Sequence, residues 1–138
     1  MSDEHLQATI SQKAALFGPD GDVLLLSLTA SDAWDIPGGR IGRNEDVVSG
    51  LRREVREETG LDVDVEDPVY TDAWTTEEGE GRYAVVYYCT TDDRAVSLSD
   101  EHDGWQWVDP DVAVDDVLPA SELCTAVERA VAHRAVVR

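Results

Sequence analysis

The sequence predicts a single α+β domain in which a mixed β-sheet is covered by helices. Segments typical of strands outnumber helical ones, and two amphipathic segments have helical spacing. No linker, internal repeat or low-complexity block divides the 138 residues. We therefore expect residues 1–138 to form one domain with helices packed on the sheet.

The first half of the chain predicts a hairpin followed by a helix. Residues 8–17 and the apolar run 23–28 are typical of strands, and a Gly-Pro-Asp-Gly turn signal separates them. Asn44 is a candidate cap for a helix over residues 45–59. Gly60 follows that segment, where a helix C-terminus favours glycine, so the expected helix is bounded at both ends.

The second half predicts three strands and a final helix. Residues 61–65 alternate between apolar and polar, as in a half-buried strand, and residues 83–91 are rich in β-branched and aromatic side chains. Residues 105–108 form a short strand that ends before Pro110. Residues 121–136 have apolar side chains at helical spacing, which predicts a second helix against the sheet.

The charge of the chain excludes several classes of function. It carries 30 Asp and Glu against 11 Lys and Arg, which gives a formal net charge of -19 and a pI near 4.2. Such a chain repels phosphate backbones and anionic lipids, so we expect no nucleic-acid polymer and no membrane as partner. The N-terminus lacks the pattern of a secretory signal, and no apolar run is long enough for a membrane span, so we expect a cytoplasmic protein.

The remaining composition bears on habitat and redox state. Lys13 is the single lysine, and scarce lysine with high acidity resembles proteins from salt-rich cytoplasm; an ordinary acidic protein is the alternative. Cys89 and Cys124 lie far apart and, with three scattered histidines, make no zinc pattern. We expect both cysteines to be reduced and buried.

Three glutamates of the predicted helix, Glu54, Glu57 and Glu58, lie on one arc because residues three and four apart are helical neighbours. Crowded carboxylates repel each other, and partial burial increases the cost. A hard divalent cation such as Mg²⁺, or Mn²⁺ in its place, removes this penalty. A solvated acidic face is the alternative. The adjacent apolar stripe predicted to dock on the sheet is Val48, Leu51 and Val55.

The carboxylates alone favour the solvated acidic face, but the spacing of the whole segment matches a longer pattern. Residues 39–61 match the pattern G-x5-E-x7-R-E-U-x-E-E-x-G-U, where U is aliphatic, at every position. The fixed positions are Gly39, Glu45, Arg53, Glu54, Glu57, Glu58 and Gly60, and the aliphatic ones are Val55 and Leu61. The segment resembles the Nudix box, and the chain therefore resembles the MutT-like Nudix hydrolases.

The resemblance implies a Nudix α-β-α sandwich that hydrolyses a nucleoside diphosphate linked to another group, X. Carried over by position, the metal ligands are Glu54, Glu57 and Glu58. Arg53 would orient a carboxylate through an ion pair, and Glu45 would support the site. Gly39 and Gly60 would permit tight turns at the two ends of the loop–helix segment.

The general base has two candidates. In some MutT-like proteins a glutamate shortly before a tryptophan-containing strand assists catalysis or binds metal, and Glu101 precedes Trp105 in this way. Neighbouring aspartates make an ordinary acidic loop the alternative. Glu57 is the other candidate base, and its carboxylate is also an expected metal ligand.

Substrate contacts are expected from aromatic and backbone groups near the box. Trp34 and Trp74 offer faces for stacking a base, although core packing is the alternative for each. Gly38 and Gly39 would let the backbone approach phosphate oxygens, and Arg40 would meet them as a cation.

The substrate itself stays open in the sequence. The region after the box lacks the proline found in many ADP-ribose hydrolases, which favours a general MutT-like nucleotide hydrolase over an ADP-ribose or sugar-nucleotide pyrophosphatase. A non-catalytic nucleotide-sensing Nudix domain is a further alternative. Either a monomer or a homodimer fits the sequence.

Overall fold

The computed structural model describes residues 5–28, 33–118 and 121–137. The seven strands among these residues are β1 Ala8–Phe17, β2 Val23–Leu28, β3 Trp34–Asp35, β4 Gly38–Arg40, β5 Asp64–Thr75, β6 Gly81–Thr90 and β7 His102–Val108. The helices are α1 Val47–Thr59, α2 Pro110–Val112, which continues as a π-helical turn over Ala113–Val117, and α3 Glu122–Val137. The expectation of no secretory signal rests partly on residues 1–4, which lie outside the described residues.

The strands form one mixed sheet in the order β3-β2-β1-β6-β5. The predicted hairpin is confirmed, since β1 and β2 pair antiparallel at Phe17 and Val23. Farther from the turn, β4 pairs with β1 and β3 pairs with β2, while β7 also pairs with β2. Strand β1 runs parallel to β6 along its whole length, and β5 is the antiparallel edge strand. The split between β1 and β2 thus leaves room for β4, which contacts Glu54 and Glu58 of α1.

Both faces of the sheet are buried, which confirms the predicted sandwich. Leu16 and Leu24 pack with Leu51 and Val55 of α1 on one face. Phe17 packs on the opposite face, with Ala126, Val127 and Ala130 of α3 among its neighbours in that cluster. Consecutive strand residues point to opposite faces, so two buried faces require the continuous apolar runs seen in β1 and β2.

Helix α1 begins later than predicted. Asp46, not Asn44, is its N-cap, and the Asp46 carboxylate accepts a hydrogen bond from the Ser49 N–H. Asn44 instead has a positive φ of 64°, a conformation that asparagine tolerates in a turn. Val48 is 40% exposed and does not join Leu51 and Val55 in the core. The apolar stripe is therefore narrower than the sequence suggested.

The C-terminal limit of α1 is confirmed. Gly60 has the left-handed conformation, with φ 74°, and its N–H donates to the carbonyl of Arg56. The next strand differs from the prediction, because it begins at Asp64 and extends to Thr75.

Among the described residues, no helix is long and apolar enough to cross a lipid bilayer.

Candidate active site

Two adjacent glycines bring β4 against both the sheet and α1. A Cβ atom on Gly38 would lie 2.2 Å from the carbonyl oxygen of Gln12 on β1. A Cβ atom on Gly39 would lie 2.4 Å from Oε2 of Glu54 on α1. The Gln12 backbone cannot move aside, so Gly38 must be glycine, whereas a side chain at Gly39 would displace the flexible Glu54 carboxylate.

Glu58 is the buried carboxylate of the site. Its side chain is 9% exposed, and Oε1 accepts a 2.7 Å hydrogen bond from the Gly38 N–H. Burial raises the pKa of Glu58 to about 7, and the nearby carboxylates of Glu54 and Glu101 act in the same direction. The Gly38 hydrogen bond and the charge of Lys13 oppose this rise only in part. A cation bound here would relieve the desolvation and the repulsion together.

Arg53 donates hydrogen bonds to the other three carboxylates of the box, Glu45, Glu54 and Glu57. Its Nε donates to Oε2 of Glu45 at 2.6 Å, and its Nη1 donates to Oε1 of Glu57 at 3.0 Å. Its Nη2 donates to Oε1 of Glu45 at 3.0 Å and to Oε1 of Glu54 at 3.1 Å. One planar guanidinium with several donors thereby fixes three carboxylates relative to each other.

Glu45 is held by Arg53 and by the backbone of Gly42. The two hydrogen bonds from Arg53 and one from the Gly42 N–H hold the pKa of Glu45 down at about 2. The same carboxylates raise the pKa of the Arg53 guanidinium above its usual range, Glu45 most of all. The pair is therefore charged at any ordinary pH.

The three box glutamates expected to bind metal point to two neighbouring groups of side chains. Glu54 and Glu57 face Arg53, whereas Glu58 lies with Glu101 and His102. Each member of the second group offers one ligand atom, and these atoms lie within 4.8 Å of one another. This group fits a divalent ion, because it combines a buried carboxylate of raised pKa with a second carboxylate and an imidazole.

His102 is the functional candidate that sequence reasoning missed. Its side chain is 6% exposed at the start of β7, next to Glu101. The three histidines have no zinc-like spacing in the sequence, and local spacing shows nothing about residues that strand pairing brings together. Its adjacency to Glu101, already a candidate, was the available signal.

A cavity of about 480 Å³ is lined by residues of β1, β5, β6 and α3. Its lining residues are Lys13, Tyr70, Asp72, Trp74, Ala84, Val86, Glu122 and Leu123. Trp74 is 46% exposed, so its ring is accessible to a ligand. The volume lies within the range of small-molecule sites, and the lining combines apolar side chains with a few charged groups.

Lys13 connects the cavity to the carboxylates, and sequence reasoning missed it too. It lies opposite Gly38 in the β1–β4 pairing, and its Nζ donates to Oδ1 of Asp35 at 2.8 Å and to Oδ2 at 2.9 Å. Gly38 donates in turn to Glu58. Lys13 therefore lines the cavity and is also close enough to Glu58 for its charge to lower the pKa of that carboxylate.

The other expected substrate contacts take different positions. Trp34 is half-buried and packs against the core cluster on the α3 face, so core packing accounts for it. Arg40 is exposed at the end of β4, opposite Ser11. Gly38 and Gly39 thus lie against Glu58 and Glu54 of α1, whereas Trp74 lines the cavity and Trp34 packs against the core.

Comparison with known proteins identifies the architecture. Residues 9–124 match the NUDIX domain family. A MutT-like protein from Streptomyces ambofaciens is 29% identical over 103 residues, which cover 75% of this chain and 65% of that protein. An octanoyltransferase from Myxococcus xanthus is 33% identical over 124 residues, which cover 83% of this chain and 34% of that protein. The chain thus spans less than two thirds of either relative.

A solved structure agrees with the family match. The MutT protein from Methanosarcina mazei has a TM-score of 0.78 and 26% identity, with 96% of this chain and 99% of that chain covered. The fold, the complete box on the loop before α1 and on α1, and the domain match agree with one another. The chain belongs to the Nudix family.

Proposed function

We propose that the protein is a metal-dependent nucleotide diphosphatase that hydrolyses the diphosphate linkage of a nucleoside diphosphate bonded to a group X. The observation that carries the proposal is the complete Nudix box, with Glu58 buried beside Glu101 and His102. The expected ion is Mg²⁺, with Mn²⁺ as a substitute, and its box ligands are Glu54, Glu57 and Glu58. When bound, the ion neutralises phosphoryl oxygens and lowers the pKa of a coordinated water.

The residues of the chain supply orientation and proton transfer. Arg53 fixes the Glu54 and Glu57 carboxylates through its planar fork, with Glu45 holding the other side of that fork. Either Glu57 or Glu101 accepts the proton of the attacking water, since both are exposed carboxylates on this side of the molecule. Gly38 and Gly39 let the substrate phosphates approach the backbone, and Arg40 offers a further cation.

The cavity takes the organic part of the substrate. Trp74 stacks on a flat group, and the sole lysine, Lys13, meets the phosphate between that group and the ion. Because the whole chain carries a charge of -19, Lys13 and the ion supply local attraction for an anionic substrate. A small nucleotide in the cytoplasm is the expected partner, with ADP-ribose and sugar nucleotides as the narrower alternatives.

The test is a turnover screen with Mg²⁺ over oxidised nucleoside triphosphates, dinucleoside polyphosphates, ADP-ribose and sugar nucleotides, at low and high salt. We expect Mg²⁺-dependent release of phosphate or nucleoside monophosphate by the wild type. Glu57→Gln should lose most of this turnover, whereas Glu128→Gln, an exposed glutamate on α3, should retain it. Equal rates for Glu57→Gln and wild type would refute the assigned role. Binding without turnover across the panel would favour a nucleotide sensor.

A further inference from the structure

His102 carries a buried nitrogen atom that the fold does not satisfy. Its Nδ1 has no hydrogen-bond partner among the described residues and lies 3.9 Å from Oε2 of Glu58. Burial of a polar atom without a partner costs free energy, so each such atom in a native protein needs a physical explanation. The position of Nδ1 next to two carboxylates supplies such an explanation, because a cation bound among these groups would accept the lone pair of Nδ1.

The geometry of the three side chains agrees with a shared ligand. Glu58 reaches the site from the end of α1, while Glu101 and His102 reach it from the start of β7. Their ligand atoms lie within 4.8 Å of one another, so small side-chain movements bring all three onto one ion. The pairing of β7 with β2 fixes the backbone of His102 opposite Leu28. This part of the site is therefore built by the sheet as well as by the box.

We propose that His102 is a nitrogen ligand of the catalytic ion, beside carboxylate oxygens from Glu58 and Glu101. The inference rests on the proposed function, because the same ion acts on the diphosphate. Magnesium prefers oxygen ligands, whereas imidazole favours first-row transition ions. The site consequently prefers Mn²⁺ or Co²⁺ to Mg²⁺ by more than an all-oxygen site would.

The direct test is pulsed electron paramagnetic resonance of Mn²⁺ bound to the full chain. A coordinated histidine couples its ¹⁴N nucleus to the electron spin, and protein labelled with ¹⁵N only in histidine must change the nitrogen modulation without any mutation. We expect this change in the wild type. We also expect His102→Asn to lose the histidine signal, while His133→Asn retains it, because His133 lies on α3 beside Asp67 and Tyr88.

Calorimetric titration gives a second readout. Asparagine places an oxygen near the position of Nδ1, so His102→Asn should weaken Mn²⁺ binding by roughly tenfold or more and change Mg²⁺ binding much less. Thermal unfolding of the variants verifies that each remains folded before titration. The labelled wild type gives the answer by itself if His102→Asn does not fold.

Several outcomes would overturn the inference. Bound Mn²⁺ without histidine coupling in the wild type, or coupling that survives in His102→Asn, would remove His102 from the ion. Failure of the wild type to bind Mn²⁺ would do the same. Parallel turnover assays separate the two proposals: hydrolysis without histidine coupling rejects His102 alone, and histidine coupling without hydrolysis rejects the diphosphatase alone.

Discussion

Two groups of carboxylates lie side by side at helix α1, and they solve the problem of crowded negative charge in different ways. Glu45, Glu54 and Glu57 surround the Arg53 guanidinium, and the pKa of Glu45 is lowered to about 2. Glu58 is more deeply buried beside Glu101, and its pKa is raised to about 7. The first group is held together by a cation of the protein itself, whereas a bound cation would offset the burial and repulsion in the second.

This difference separates carboxylates that the protein itself holds in place from one that gains most from a bound ion. The Arg53 group keeps its geometry by hydrogen bonds within the protein, so it provides a rigid frame before any ligand arrives. The Glu58 group holds its charge at a cost, and a divalent ion that removes the cost gains affinity from it. Substitutions in the two groups should therefore have different effects on activity and on stability.

The largest effect is expected from Glu58→Gln. The substitution retains the acceptor for the Gly38 N–H but removes the buried charge that favours a cation. Turnover should fall by roughly 10²–10³-fold, the usual loss for one electrostatic element of a site. Initial rates at several Mg²⁺ concentrations measure this loss. Turnover near the wild-type rate would show that the buried carboxylate has no part in ion binding.

A smaller loss is expected from Arg53→Lys, which keeps the charge but cannot bridge three carboxylates at once. Turnover should fall about 10–100-fold, as for other residues that position ligands. Arg56→Lys is the matched control. Arg56 lies on the same helix but pairs with the exposed Asp62, which follows the helix, instead of with the box carboxylates. If both variants keep wild-type rates, the Arg53 fork is only a surface ion pair.

Lys13→Gln tests the proposed contact between Lys13, which lines the cavity, and a phosphate of the substrate. Removal of the ammonium should raise KM for a good substrate by about tenfold, since a charge-assisted phosphate contact is lost, while kcat changes less. Arg94→Gln is the control, because Arg94 pairs with Asp20 and Asp22 and does not line the cavity. Steady-state kinetics decides the prediction, and an unchanged KM would contradict it.

Local sequence rules predicted the elements that depend on local conformation. Gly60 ends α1 because a left-handed residue is needed there, and the turn between β1 and β2 follows from its glycines and proline. The rules were less reliable at Asn44, because Asp46 competes for the same capping function two residues later. Strand β5 was underestimated because it contains Pro68, which is tolerated at a sheet edge and coincides with register shifts.

The same distinction between local and long-range structure applies to the residues of the candidate site. Glu54, Glu57 and Glu58 were found because helical spacing relates them locally. His102 and Lys13 escaped because their roles depend on pairing between strands distant in sequence, β7 with β2 and β1 with β4. The sequence also contains no measure of burial, and burial is what distinguishes Glu58 from Glu57 on adjacent positions of one helix.

The smallest expected effect concerns stability without metal. The pKa of Glu58 is about 7 in the folded protein against a usual value of 4.5, so the folded state binds more protons between these values. Its contribution to the free energy of unfolding is full below about pH 4.5 and is lost as pH rises through 7. As pH rises from 5 to 8, the free energy of unfolding of Glu58→Gln should therefore increase by roughly 1–2 kcal/mol relative to that of wild type. Urea titrations with chelator measure this difference. Saturating Mn²⁺ at pH 8 should instead make wild type the more stable of the two proteins, because only wild type binds the ion tightly. Parallel pH profiles for the two proteins would show that Glu58 does not carry the buried charge inferred for its group.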